Sequence, residues 1–480
     1  MAEPPYTTFT KWQKLSLVVI ASLSASFSGF ASNIYFPAIP IMATSLSTSI
    51  ENINLTVTSY MIFQAITPTF WGAISDAYGR RLVLISTLVV FFSACIGLAL
   101  IKHYYQLVIL RCLQSTGSAS TIAIGSGIIG DVADRKERGS YMGFFQTGLL
   151  LPLAIGPVLG GIFAQTLGWR AIFWFFVIYA GVFLIILAIF LPETLRRIVG
   201  NGAICPPARS RTPLEHFLAS RDKTLPPVIS AAPIRPDWIA PLRILFVPDV
   251  FLALFFLSLH YATWQMAITA QSSLFKNIYN LSEIEIGLTF IANGFGCMLG
   301  TLSIGRFLDY DYQRFKKKFS GPASDFPIEQ ARLRTVWFWS PFQCAAVLWF
   351  GWTLDQKVHM ASPIVASFVL AWAAMSIQAV ISTFIVDIFP KSSASATAAL
   401  NLARCLMGAG ATASVEPSIN TLGVGFTFTL WACLMALSLT FVGVQMRFGP
   451  AWRKRREKRL EEKEKSSYPG CHHKNLLSNQ

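Results

Sequence analysis

The sequence is dominated by apolar runs of about twenty residues, the length an α-helix needs to cross a bilayer. Twelve such runs recur. The first six lie near 15–38, 53–73, 82–101, 106–130, 141–165 and 170–191, the second six near 249–273, 284–308, 335–354, 362–389, 393–416 and 424–446. They are apolar on all sides instead of striped, which excludes a water-soluble globule. A composition of 53% hydrophobic against 13% charged residues agrees. Backbone polar groups in hydrocarbon must pair within their own segment, so the expected fold class is an all-α integral membrane protein with twelve transmembrane helices in two pseudo-symmetric six-helix bundles. The first run is too long for a cleavable signal and lacks a convincing cleavage site.

A net charge of +15 could suggest a nucleic-acid partner, but the basic residues sit in alternate loops between apolar segments. With both ends cytoplasmic, the outer loops hold Lys102, Arg170, Lys276 and Lys357, and Arg111 and Arg404 fall within segments, leaving 33 basic residues inside. The positive-inside rule then sets the topology as multi-pass with both termini cytoplasmic; the membrane expected from the functional reading below is the plasma membrane. Asn280-Leu-Ser282 is a glycosylation sequon in an outer loop, whereas Asn54-Leu-Thr56 lies too near the membrane for use. The Pro-, Arg- and Ser-rich stretch 192–248 reads as a flexible linker between a bundle over 15–191 and another over 249–446. Residues 1–14 form a short polar N-terminus and 447–480 a basic tail, read as a solvated or lipid-facing helix. The cysteines have no disulfide or zinc spacing, and Cys471-His472-His473 is too short a cluster for a metal site. No metal or cofactor is expected, and no nucleophile–base set suggests an enzyme.

Between the second and third runs lies Gly72-Ala-Ile-Ser-Asp76-Ala-Tyr-Gly79-Arg80-Arg81. Gly72 permits close helix approach, Asp76 suits a helix N-terminus, and the two arginines hold the loop in the cytoplasm. The spacing resembles the loop signature G-x-x-x-D-x-x-G-R-R/K of the major facilitator superfamily. Gly305 to Asp309 repeats the Gly72-to-Asp76 spacing in the second half, and Arg314 follows Asp309 as Arg81 follows Asp76. Arg111-Cys-Leu-Gln114-Ser115-Thr-Gly117 resembles the superfamily motif R-x-x-Q-G, with Ser115 replacing the glycine; the resemblance implies proton coupling through Arg111. An arginine there either faces a cavity or snorkels to the surface. Gly148-Leu-Leu-Leu-Pro152-Leu-Ala-Ile-Gly156-Pro157-Val-Leu-Gly160-Gly161 is similar to the antiporter motif G-x-x-x-G-P-x-x-G-G, with Pro152 at its first glycine. The resemblance further groups Asp76, Gly79, Arg80, Arg81 and Asp131 as a cytoplasmic latch holding the halves together when the outer side is open.

Local phrases extend the likeness over nearly every helix: Asn33-Ile-Tyr35-Phe-Pro37-Ala-Ile-Pro40, Leu191-Pro192-Glu193-Thr194-Leu195-Arg196, and the stretch Ser392 to Cys405. Together they resemble the fungal twelve-helix drug:proton antiporters, with quinidine-resistance and citrate-exporter branches. Gly287 to Met298 leans towards the latter.

Polar residues expected on a central cavity are Asn33, Gln64, Gln114, Gln146, His260, Gln265, Asn293, Gln378, Asn401 and Arg404, with Tyr35, Tyr261 and Trp264 available for stacking. Arg404, mid-helix, requires an anionic partner: Glu416, Asp387 or a substrate carboxylate. The first run has Asn33 where bacterial multidrug relatives often place an acid, so Glu416 and the Asp76–Asp131 group are the expected proton carriers. The function implied is efflux of a small organic molecule (drug, toxin or secondary metabolite) by alternating access in exchange for protons. The alternatives are a dedicated organic-acid exporter such as one for citrate, and a transporter-like receptor without net flux. Expected partners are the substrate, protons and membrane lipid, with no nucleic acid, the chain acting as a monomer.

Overall fold

Twelve helices of 20 residues or more run through the described residues of the computed structural model, which are 7–134, 137–202, 204, 206–213, 239–318, 327–389 and 393–467. The first half holds α1 (Lys11–Asn33), α2 (Ile50–Tyr78), α3 (Arg80–Leu100), α4 (Tyr104–Val132), α5 (Arg138–Thr166) and α6 (Arg170–Phe190). The second holds α7 (Pro248–Tyr279), α8 (Glu283–Lys318), α9 (Val336–Asp355), α10 (Ala361–Ile388), α11 (Ser393–Leu422) and α12 (Val424–Ser467). Breaks between them follow local chemistry. Thr10 and Gln13 cap α1 reciprocally. Gly79, at φ 111°, turns α2 sharply into α3, and Asn280 ends α7 in the left-handed region.

Nine of these helices are long and apolar enough to cross a bilayer by length and hydropathy alone. The exceptions are α2, α9 and α11. Two of them, α2 and α11, carry Asn, Ser, Thr, Gln and Gly because they pack on each other across the molecule and need not face lipid.

The packing has internal symmetry. In the first half α1 packs on α4 and α5, α2 on α4, and α3 on α4 and α6. Adding six to each number gives the contacts of the second half, α7 on α10 and α11, α8 on α10, and α9 on α10 and α12. The halves meet through two related pairs, α5 with α8 and α2 with α11. Both seams are closed on the side away from the chain ends (the far side). There Phe36 stacks on Phe290 at 5.9 Å, the Thr58 hydroxyl donates to the Ala409 carbonyl at 3.3 Å, and the Gln165 side chain accepts from the Ile284 N–H at 3.0 Å. Towards the side bearing the chain ends (the terminal side) the halves part. Gln146 and Thr147 of α5 are exposed there, and a Cβ on Gly305 of α8 would meet nothing within 4 Å. Among the described residues a cleft therefore lies between the halves on the terminal side.

Two sequence expectations change at that end. The twelfth helix does not stop at 446 but runs unbroken to Ser467, and it is not merely solvated. Its Arg453 is buried against Glu329 of the short helix Ile328–Leu333, with Nε 3.0 Å from a carboxylate that is 0% exposed. The repeat loop also differs. The side chain of Asp309 lies outside the described residues; the ion pairs seen are Arg332 to Asp387 at 2.7 Å and Arg334 to Asp311. Asp387 lies at the end of α10 as Asp131 lies at the end of α4, so Arg332, reached across a longer connection, stands to Asp387 as Arg80 stands to Asp131.

Arg453→Met leaves Glu329 buried without its cation, which should cost about 3–5 kcal/mol. A clear fall in Tm of the solubilised protein is expected, with most of it recovered in the Arg453→Met/Glu329→Met pair. An unchanged Tm in the single variant would show the pair to be structurally idle.

Candidate substrate site and gates

Arg404 sits in α11 at the apex of the cleft. It is half-buried, and its fork is held by neutral oxygens: Asn401 Oδ1 accepts from Nε and Nη2 at 3.2 and 2.9 Å, and Gln378 Oε1 from Nη1 at 3.1 Å. The guanidinium lies 5.0 Å from the ring centre of Tyr261 on α7. Neither protein carboxylate expected as its partner reaches it, because Asp387 is paired with Arg332 and Glu416 accepts from Ser273 Oγ at 2.9 Å. Asn401 also donates to the Gln64 carbonyl of α2 at 3.1 Å, and Ala65 packs on Leu402 and Cys405. The cluster thus joins α2, α7, α10 and α11, and both halves of the molecule.

Arg111 has the opposite environment. It is 1% exposed, so it does not snorkel. Its charge is sandwiched 4.2 Å from the Tyr35 ring and 4.4 Å from the Tyr60 ring, and Nη1 donates to the Ala31 carbonyl and to Gln114 Oε1 at 3.1 and 2.7 Å. Tyr35 and Tyr60 are fixed in turn by Thr56 and Ser118. Nε and Nη2 have no hydrogen-bond partner.

The α5 motif presents two stripes. Gly148, Pro152, Gly156 and Gly160 recur every fourth residue against α1: a Cβ on Gly148 would strike Ser22, Pro152 fills the space beside Gly29, Gly156 touches Asn33 and Ile34, and a Cβ on Gly160 would strike the Ile34 carbonyl. On the other stripe, Ala154 meets Gly294, the Pro157 carbonyl meets Gly287, and Gly161 meets the Glu283 backbone, all across the seam to α8. Gln146 continues this second stripe into the open cleft.

At the terminal side Arg80 gathers the expected group. It lies 2.6 Å from Asp76 and 3.0 Å from Asp131, and donates to Ser75 Oγ at 3.0 Å. Arg81 turns away to the Ala188 carbonyl at 2.8 Å. These contacts stay within the first half.

The remaining expected residues divide. Gln64 is half-buried near Ser28, Gln114 serves Arg111 and Cys95, and Asn33 is buried against the Gly29 carbonyl. Four are buried in protein instead of facing the cavity. His260 is 0% exposed, with Nδ1 2.8 Å from Gln343 and Nε2 3.3 Å from Ser340 of α9. Trp264 donates to Asn293 Oδ1 at 3.0 Å, and each is buried by the other between α7 and α8. Gln265 is also buried. Asn280 is exposed on the far side, while Asn54 is buried. No cluster that could hold a metal occurs among the described residues, and Cys471-His472-His473 lies outside them.

The sequence profile described as Major Facilitator Superfamily matches residues 21–412. The chain belongs to that superfamily. Citrate exporter 1 of Aspergillus niger is 41% identical over 477 residues, covering 96% of this chain and 91% of the relative. MFS antiporter QDR2 of Candida albicans is 32% identical over 456 residues, covering 92% and 90%. Among solved structures, a D-xylose-proton symporter superposes with a TM-score of 0.65 at 17% identity, covering 89% of this chain and 97% of its own. A partially occluded inward-open form of the E. coli xylose transporter XylE gives 0.62 at 16%, covering 90% and 97%. At that identity the structures show the shared fold alone.

One residue of this superfamily member's loop network was legible but unread. Glu193, in the Leu191–Leu195 phrase, is buried, and its Oε1 accepts from the N–H groups of Arg80, Thr194 and Leu195 at 2.8–3.0 Å. It places a carboxylate at the N-terminus of α3, where the helix dipole favours it, and a Cβ on Gly79 would strike it.

Gly161→Val should wedge the α5–α8 seam apart on the far side. Transport should fall at least tenfold while the amount of folded protein in the membrane holds, measured by flux per surface-labelled molecule. Flux at the wild-type rate would show that the seam need not close so tightly.

Proposed function

We propose that this protein exports an organic acid, of the citrate class of small polycarboxylates, across the plasma membrane by alternating access in exchange for protons. The observation that carries the reading is Arg404, a cation in the cleft whose partners among the described residues are amide oxygens and a tyrosine ring. A guanidinium in that position is costly unless an anion completes it, and its planar fork matches a carboxylate. The 41% identity to a citrate exporter over nearly the whole chain supports the same substrate class. Export of a drug, toxin or secondary metabolite is the second reading, favoured by Tyr261 at the site and by the QDR2 relative.

In this reading the terminal side is cytoplasmic, with both chain ends and the 192–248 and 447–480 segments there, and the far side, with Asn280 as its glycan acceptor, is external. The cleft then faces the cytoplasm, ready to load. Arg404, Asn401, Gln378, Gln64 and Tyr261 bind the anion; Arg111, caged by its tyrosines, holds the first half together beside the path. The Asp76–Arg80–Asp131 group, with Glu193 behind it, acts as the inner latch when the cleft closes. A monomer suffices, since every group named belongs to one chain.

Arg404→Lys retains charge but loses the fork. In inside-out vesicles its KM for citrate should rise about tenfold, equivalent to ~1.4 kcal/mol of binding, with Vmax less affected. Arg404→Leu should abolish saturable citrate flux. Wild-type KM in both variants would remove Arg404 from the site and the organic-acid reading with it.

A further inference from the structure

We propose that the extension of α12 braces an inner latch of the second half: Arg456, with Arg453 beside it, is a positioning residue that holds the Arg332–Asp387 ion pair in the geometry the cleft needs to close. The inference rests on the latch reading above and extends it to residues that reading does not use.

The ion pairs of the two halves are supported alike. In the first half the segment after α6 makes two contacts, three residues apart. Glu193 accepts from the N–H of Arg80 at 2.8 Å, and Arg196 Nε donates to the carbonyl of Asp131 at 2.9 Å. In the second half the extension of α12 makes the corresponding two, again three residues apart. Arg453 Nε lies 3.0 Å from Glu329, which precedes Arg332 by one turn of the short helix Ile328–Leu333. Arg456 Nη2 donates to the carbonyl of Ile388, next to Asp387, at 3.3 Å, and its guanidinium lies 4.1 Å from the ring centre of Phe389. Each partner of the Arg332–Asp387 pair is thereby tied to α12 through its own chain neighbour. The extension reaches both because Gly449, Arg453 and Arg456 share one helix face. Gly449 admits Glu329 closely, since a Cβ there would lie 3.0 Å from Glu329 Cγ.

The same cluster anchors the terminal-side end of α8, a helix of the seam. Arg332 lies 4.1 Å from the ring centre of Tyr312, and Arg334, two residues on, pairs with Asp311. Closing the cleft must bring this end of α8 to the start of α5, as the far end of α8 already meets α5 at Gly161. Two atoms of the cluster are unsatisfied while the cleft is open: Arg332 Nη1 and Asp311 Oδ2 are buried without a hydrogen bond among the described residues. Unpaired buried donors and acceptors are costly, so the open arrangement does not satisfy this cluster best, and a closed one that supplies their partners is favoured. Closure then requires Arg332 and Asp387 to be held where the other half can meet them. Loss of the brace keeps the cleft open and makes the far side open less often.

The test reads opening of the far side without substrate. Ala409 is 3% exposed in the sealed α2–α11 seam. In the full-length protein in lipid nanodiscs, Ala409→Cys therefore reacts with a hydrophilic maleimide only as the far side opens, and modification of that position is followed by mass spectrometry. Arg456→Met should slow the reaction about fivefold or more, the scale of one lost charge-assisted contact. Arg456→Lys, which keeps a cation for the carbonyl and the ring, should recover most of the rate. Added to Arg332→Met, Arg456→Met should have no further effect, because it acts through that pair. Phe389→Leu, which removes only the ring under Arg456, should slow the reaction in the same direction and keeps the test decisive if Arg456→Met fails to fold. A role in fold stability alone predicts the opposite sign, since a loosened chain exposes the introduced cysteine faster. Wild-type or faster labelling in Arg456→Met and Phe389→Leu, or a full further fall in the double variant, overturns the proposal. Arg80→Met in the same assay tests the first-half latch separately: slowing there without an effect at Arg456 strikes only the brace, and the reverse strikes only the first-half latch.

Discussion

Within a bilayer no hydrophobic effect draws one helix onto another, so the architecture depends on how closely backbones approach. In this protein α5 supplies much of that approach. Its glycine and proline stripe at 148, 152, 156 and 160 seats it on α1, and its second stripe through Ala154, Pro157 and Gly161 seats it on α8. One helix thereby belongs to its own half and forms half of the seam. The symmetry-related seam of α2 with α11 is of another kind, with the Thr58 hydroxyl on the Ala409 carbonyl and the Asn401 amide on the Gln64 carbonyl. A seam of backbone contact can slide or rock with little chemical change, whereas one of polar groups must break hydrogen bonds to open.

The two intramembrane arginines show how context assigns roles. Arg111 and Arg404 are alike in having no carboxylate partner among the described residues. Arg111 is enclosed by Tyr35 and Tyr60, whose π faces and anchoring hydroxyls stabilise a permanent cation in a sealed site. Arg404 has one ring on one side and an opening on the other. Enclosure suits the first to hold its half together, and incompleteness suits the second to the anion-binding role proposed for it.

Much of the fold was legible because apolar runs of spanning length admit little besides helices, and the loop at Gly72–Arg81 marks the family by its spacing. Which way each side chain points was not. Helices that are apolar on all sides have no stripe to orient them, so His260 and Asn293 could be placed on a helix but not on a face, and both proved buried against neighbouring helices. Arg332 escaped notice because its partner Asp387 lies 55 residues away. Glu193 was in view as a letter, but a carboxylate that caps a distant helix leaves no local pattern. The central site was half legible: Asn401, Arg404, Gln378, Gln64 and Tyr261 come together as expected, while the supposed protein counter-ions of Arg404 are engaged elsewhere.

The central claim is that a polycarboxylate leaves through this chain in exchange for protons. The most direct measurement uses purified protein in liposomes loaded with labelled citrate, with its cytoplasmic face inward, and an external pH stepped down against a fixed internal pH. The account predicts that efflux accelerates with the inward proton gradient and collapses to the protein-free rate when a protonophore dissipates it with the membrane potential clamped. Efflux that is indifferent to the gradient, or no faster than from protein-free liposomes, would contradict it.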